Sequence, residues 1–311
     1  MAQVRVPLAT ACYTHDDCAA HLTPEGHPEQ PARLQAVERG LAGLPLLRLE
    51  APLGADADIL RCHPAAYLAR LRAAVPTNRI VGLDPDTWMS PGSLQAAMRA
   101  VGGICAAVDL VLSGGAGNAF VACRPPGHHA EHDRAMGFCL FGNVAVAAHY
   151  ALRHHGCARV LVVDWDVHHG NGTQALVEDE PRIRFVSMHQ WPWYPGTGAA
   201  DDRGPHGSVW NVPMAPGLPP GDYVTALLAA VDAATDGFTP DLVLLSAGFD
   251  CLAGDPLGAF TLTLAEVTTL TRALVSRAER WCEGRLVSAL EGGYAPDAVA
   301  EAVLTHLRAL A

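Results

Sequence analysis

The residues best suited to chemistry lie in Asp164-Trp165-Asp166-Val167-His168, between the apolar run Val160-Leu161-Val162-Val163 and the turn Gly170-Asn171-Gly172. The apolar run predicts a buried parallel strand. On an extended backbone, positions 164, 166 and 168 share one face, so two carboxylates and an imidazole meet at a strand's carboxyl end. Such groups are costly to bury unless something pairs with them. A divalent cation is one such partner; an N-cap and turn cluster is the bland alternative. A second apolar run ends in Ser246-Ala247-Gly248-Phe249-Asp250. With Asp166 and His168, Asp250 makes a set of one nitrogen and two carboxylate donors, which suits Zn²⁺ with a position left for water. Alone, Asp250 reads as readily as a turn residue.

Two further stretches add acid–base groups. Arg124-Pro125-Pro126-Gly127-His128-His129-Ala130-Glu131 presents adjacent imidazoles after a stiff approach, suited to general base and general acid roles. In Glu291-Gly292-Gly293-Tyr294 the glycines permit a sharp turn and close approach, and the phenol is a hydrogen-bond donor for a developing oxyanion. A third pair, His154-His155, sits at a helix end before Gly156 and reads as polar surface.

Strands are expected over 8–13, 46–49, 119–123, 159–164, 183–188, 209–212, 241–246 and 285–289. Helices are expected over 31–41, 56–60, 64–74, 93–113, 143–155, 171–177, 222–235, from the Thr263 cap to Glu283, and from Asp297. Polar loops fill 14–29, 76–92 and 189–208. The alternation implies a mostly parallel sheet covered on both faces. All four polar clusters then follow strands, and ligands bind outside the carboxyl ends of strands in an open α/β sheet. Without repeats or low-complexity linkers, 1–311 reads as a single domain.

Of 311 residues, 50% are hydrophobic and 17% charged, enough for a large core. The net charge of −11 and the lack of a basic run argue against nucleic acid as a partner. Nine cysteines without Cys-x-x-Cys argue against a disulfide framework and fit a reducing cytoplasm. No signal-peptide core is expected, and no apolar stretch long enough to span a bilayer.

Together these blocks resemble the histone deacetylase and acetylpolyamine amidohydrolase superfamily, from His27-Pro28-Glu29 to Glu291-Gly292-Gly293-Tyr294. Arg124–Glu131, Met136-Gly137-Phe138-Cys139 and Ser246–Asp250 look most like its class II branch and bacterial members. The resemblance implies an arginase/deacetylase-like open α/β fold, with a central parallel sheet of about eight strands flanked by helices. It implies zinc held by Asp166, His168 and Asp250, His129 as main general base and acid, and His128 as its electrostatic neighbour. Tyr294 would bind the acetyl carbonyl oxygen. Asp164 would orient the first histidine, and Asn171 stands where many members carry an Asp behind the second. Phe138 and Tyr194 match aromatic walls of an acyl-lysine tunnel, beside Gly137. Asp86 resembles a rim carboxylate that grips a substrate amide. Potassium would sit at Asp164, Asp166, His168, Ser187 and Met188, with a second, outer ion at Val177, Glu180 and Ile183.

The implied reaction is hydrolysis of an acylated amine to a carboxylate and a free amine. The resemblance implies acetyl-lysine or an acetylpolyamine as the substrate. Leu257, where polyamine-selective members can carry an acid, favours a lysine-type or less discriminating pocket, whereas Glu25 and Glu29 are candidates for attracting a polyamine. A binuclear manganese ureohydrolase shares the fold, but Asp250 is followed by Cys251 and Leu252, so a second metal lacks ligands. A non-catalytic acyl-amine binder could dispense with a histidine, a metal ligand or Tyr294, and none is missing.

Overall fold

The computed structural model describes residues 9–311. β1 (Thr10–Thr14) leads through a 3-10 turn (Asp16–Ala20) to α1 (Pro31–Leu41) and β2 (Leu47–Glu50). Next come α2 (Asp56–Ile59), α3 (Ala65–Ala74), the short strands β3 (Val81–Gly82) and β4 (Trp88–Met89), and α4 (Ser93–Leu112). β5 (Asn118–Val121), α5 (Asn143–His154), β6 (Val160–Asp164), α6 (Asn171–Val177), β7 (Ile183–Gln190) and β8 (Val209–Met214) follow. The chain continues through α7 (Pro220–Thr235), β9 (Leu242–Ala247), α8 (Leu264–Cys282), β10 (Leu286–Leu290) and α9 (Pro296–Leu310).

Eight strands form one sheet in the order β2-β1-β5-β10-β9-β6-β7-β8, with every neighbouring pair parallel. β5, β6, β9 and β10 are buried along their whole length. That is why their sequences are continuous apolar runs rather than alternating ones. These four strands are also immediate neighbours in the sheet. The loops at their carboxyl ends carry the four chemical clusters, so the topology alone gathers them at one edge.

Two expectations need correction, and one falls outside the described residues. The loops expected over 14–29 and 76–92 contain the 3-10 turn and an antiparallel β3–β4 pair. The first strand was expected from residue 8, which lies outside the described residues. A span long enough for a bilayer does exist: α4 has 20 residues and a mean hydropathy of 1.4 over its most apolar window. That window is 61% buried within the fold. Its small residues serve close packing, because a Cβ at Gly102 would overlap the backbone of Pro52 and Gly54. At α8, Thr263 and Glu266 form the reciprocal capping box that starts the helix.

Candidate active site

β6 ends at Asp164, so the shared strand face expected for 164, 166 and 168 does not extend past the first of them. Two successive side-chain turns replace it. Asp166 N–H donates to Asp164 Oδ1 (3.1 Å), and His168 N–H donates to Asp166 Oδ1 (2.9 Å). Short carboxylates fold the chain in this way by bonding an amide two residues on. The side chains converge, but by Asx geometry rather than by the pleat.

Asp166, His168 and Asp250 form one buried group whose donor atoms all lie within 4.8 Å of one another. His168 Nδ1 is 3.0 Å from Asp166 Oδ1 and 3.3 Å from Asp250 Oδ2. Asp250 Oδ1 accepts Val167 N–H (2.9 Å), and Asp166 Oδ2 accepts Gly292 N–H (2.8 Å). Asp250 Oδ2 is buried without any hydrogen-bond partner. An orphaned carboxylate oxygen aimed at an imidazole and a second carboxylate is the donor set a divalent cation satisfies. Burial and the Asp166 charge raise the Asp250 pKa to about 7. Burial opposes charge on His168, but Asp166 and Asp250 lift its pKa to about 9. Protons therefore compete for these donors, and metal binding releases them. Glycine is required alongside: a Cβ at Gly292 would overlap the carboxylates of Asp250 and Asp166.

The two histidines beside this group are set apart by their partners. His128 Nδ1 meets Asp164 Oδ2 at 2.9 Å, whereas His129 Nδ1 meets the Asn171 amide oxygen at 2.7 Å. Their rings are 4.0 Å apart, too close for both to carry charge readily. Burial opposes the imidazolium of His128, but the carboxylates of Asp166 and Asp164 outweigh it and hold the pKa well above the usual range. Burial and the neighbouring His128 and His168 push His129 well below it. His129 is the neutral imidazole, with Nδ1 facing Asn171 and Nε2 left for chemistry.

A cavity of about 230 Å³ opens above them, lined by Asp86, His129, Gly137, Phe138, His168, Trp193, Tyr194, Leu257 and Tyr294. Tyr194 stands edge-on to His129 (5.1 Å between centroids) and His168 (6.0 Å). Phe138 packs edge-on against Tyr294 at 5.6 Å. Phe138 holds a left-handed backbone (φ 70°), an arrangement costing about 1–3 kcal/mol for a residue with a side chain. Its N–H is fixed by the Thr87 hydroxyl at 3.0 Å. Before it, Gly137 (φ 54°) passes so near His129 that a Cβ would overlap the ring. Burial, then Asp250, raises the Tyr294 phenol well above its usual pKa and keeps it a donor.

The histone deacetylase domain matches residues 27–310 of this chain. The chain belongs to the histone deacetylase family. It is 41% identical over 279 residues to the histone deacetylase-like amidohydrolase of Pseudomonas aeruginosa, spanning 86% of this chain and 73% of that protein. It is 35% identical to the human polyamine deacetylase HDAC10, over 97% of this chain and 48% of that one. The crystal structure of the HDA15 HD domain superposes with a TM-score of 0.91 at 34% identity, covering 97% of this chain and 88% of that chain.

Within this deacetylase fold some expected residues take other places. Glu29 is fully buried, bonded to Arg124, Arg33 (3.0 Å) and His21 (3.2 Å), and so is withdrawn from any substrate. Asp84, not Asp86, makes the loop turn, accepting the amides of Asp86 and Thr87. Asp86 lines the mouth, with its Oδ1 accepting the Thr87 hydroxyl at 3.2 Å. His155 does have a partner: its Nε2 lies 2.6 Å from Asp109 Oδ1, which also receives the Tyr150 hydroxyl, so this pair ties α5 to α4. Ser187 is buried near Gly170 N–H (3.5 Å) and His189 (3.1 Å). Val177 and Glu180 carbonyls accept the amides of Glu180 and Ile183, forming the tight α6–β7 turn.

Other residues of the deacetylase site escaped the sequence reading. Glu131 accepts the Asn171 amide N–H at 2.8 Å and thereby turns the amide oxygen toward His129. Glu291 takes the amides of Gly127 (2.6 Å) and His128 (3.1 Å), fixing the backbone that carries both imidazoles. Trp193 lines the cavity and donates its indole N–H to the Leu257 carbonyl at 2.9 Å. Glu131 and Glu291 lie in blocks already singled out and Trp193 in the 189–208 loop, but their pairings are long-range and leave no local signal.

Proposed function

We propose that this chain is a zinc-dependent amidohydrolase that removes acetyl groups from acylated amines, acetyl-lysine first among them, and that 1–311 acts as one catalytic domain. The observation that carries this reading is the buried Oδ2 of Asp250, without a hydrogen-bond partner and 3.3 Å from His168 Nδ1, in one donor group with Asp166 and His168 beside a cavity lined by His168, His129 and Tyr294. Zinc held there supplies Lewis acidity toward the acyl carbonyl and the attacking water. His129 Nε2 takes the proton from water as its oxygen adds to the carbonyl carbon. The Tyr294 phenol donates to the oxygen that gains charge. His129 then returns the proton to the nitrogen as the C–N bond breaks, releasing acetate and amine. His128, held charged against Asp164, stabilises the same negative charge. Phe138 and Tyr194 flank the apolar stem, and Asp86 receives an amide N–H at the mouth.

Potassium at the backbone of Asp164, Asp166, His168, Ser187 and Met188, and a second ion at Val177, Glu180 and Ile183, belong to the same proposal and rest on the family resemblance. A cytoplasmic setting fits nine free, buried thiols. Leu257 adds no second carboxylate beside Asp86 at the cavity mouth, which favours lysine-type substrates over polyamines. kcat/KM measured side by side on an acetyl-lysine peptide, N-acetylputrescine and longer acyl-lysines tests the preference. The peptide is expected to lead; a higher value for N-acetylputrescine would reverse it.

Asn171→Asp should move the acid limb of the pH–rate profile upward. A carboxylate facing His129 Nδ1 favours the imidazolium and raises its pKa, so the neutral base is lost at a higher pH. Glu131 would repel the new charge, and E131Q combined with N171D should enlarge the shift. An acid limb that stays in place in both variants would exclude His129 as the base.

A further inference from the structure

We infer that Asp255 is the positioning residue for Tyr294, joining the oxyanion donor to the wall of the cavity mouth. This rests on the donor role proposed above for Tyr294. The residue itself sits on no regular element. β10 ends at Leu290 and α9 begins at Pro296, so 291–295 cross the active site as bare loop. Gly293 adopts φ 116°, a conformation that by itself leaves the direction of the next residue loosely set. Upstream anchors exist: Arg33 reaches the carbonyls of Gly293 and Glu291, and Gly292 N–H reaches Asp166. The amide of Tyr294 is held by Asp255 Oδ2 at 2.7 Å.

The other carboxylate oxygen has an equally definite task. Asp255 Oδ1 accepts Leu257 N–H at 2.9 Å, and the Leu257 carbonyl receives the Trp193 indole at 2.9 Å. One side chain, 8% exposed, therefore bridges the backbone of the oxyanion donor and the backbone of the mouth. Both partners are N–H donors, so both oxygens must accept. A carboxylate does this; an amide cannot, because its NH₂ would face one of the two N–H groups and leave it unsatisfied. Among the described residues, the ring of Tyr294 meets Phe138 edge-on at 5.6 Å and the Arg33 guanidinium at 4.9 Å, and neither contact is a directed hydrogen bond that would set its tilt. A displacement of about 1 Å at a catalytic donor costs about 100-fold in rate.

The test is a double-mutant cycle in the metal-loaded enzyme with an acetyl-lysine peptide, using Asp255→Asn, Tyr294→Phe and the pair. Y294F should lower kcat by about 10²–10³. D255N should lower kcat by roughly 10–100-fold with KM within about threefold, and should add less than about twofold to Y294F. Multiplying losses in the double variant would overturn the link and leave Tyr294's role standing. Full kcat in Y294F would defeat the donor role and this inference with it. Should D255N fail to fold, D255E takes its place in the cycle. It keeps both acceptors on a longer arm, and the same non-additivity with Y294F is expected; additive losses refute the link.

Discussion

His129→Ala is expected to lower kcat by about 10²–10⁴-fold, the range a positioned general base supplies, while KM and metal content stay near wild type. The imidazole is fully engaged on one side only. Its Nδ1 is bonded to Asn171, Asn171 is oriented by Glu131, and Gly137 closes on the ring face. That leaves Nε2, with its lone pair, toward the cavity. Because burial and two neighbouring imidazoles keep the ring neutral, it accepts a proton at neutral pH rather than already holding one. His128→Ala is a different experiment. It strands the buried Asp164 carboxylate without its 2.9 Å partner, so it should lower stability as well as rate. Steady-state kinetics with metal analysis on both variants separates the two. A loss below about fivefold in H129A would remove it from the proton-transfer role.

Asp250→Asn should abolish turnover and weaken the divalent cation by at least about 100-fold, more than loss of an outer hydrogen bond costs. The metal-free variant should nevertheless melt no lower than metal-free wild type. Asn keeps an oxygen for Val167 N–H and replaces the orphaned Oδ2, which now crowds the Asp166 charge, with an uncharged donor. Removing a carboxylate that repels Asp166 offsets the loss of its 3.3 Å contact with His168. Metal affinity of the wild type should also rise with pH: Asp250, with its pKa near 7, and His168, near 9, must each give up a proton to bind. Equilibrium dialysis and thermal melts with and without chelator check both halves. A variant that still binds stoichiometric metal would exclude Asp250 as a ligand.

The parallel sheet and the gathering of clusters at four strand ends were legible because buried parallel strands must be apolar on both faces, and that leaves unbroken runs such as Val160–Val163. Past the last strand residue, periodicity carries no information. Asp166 and His168 were expected to converge by the pleat and converge instead through Asx turns. Glu29 looked like a polar loop residue; only the fold brings Arg124, 95 positions away, into contact with it. The same distance in sequence hid Asp255, whose partner Tyr294 is 39 residues on, and the 40-residue reach from Glu131 to Asn171. α4 was misjudged in the opposite direction. Its composition meets a membrane criterion because a helix packed on a sheet and a helix in lipid are both apolar.

The most direct test is acetate release from an acetyl-lysine peptide by protein stripped with chelator, assayed before and after titration with zinc, with bound metal quantified on the same samples. Turnover should be absent in the stripped protein and return in proportion to zinc, reaching its plateau at about one ion per chain. Full activity without metal, or a zinc-loaded protein that releases carboxylate from no acylated amine, would contradict the assignment of this site.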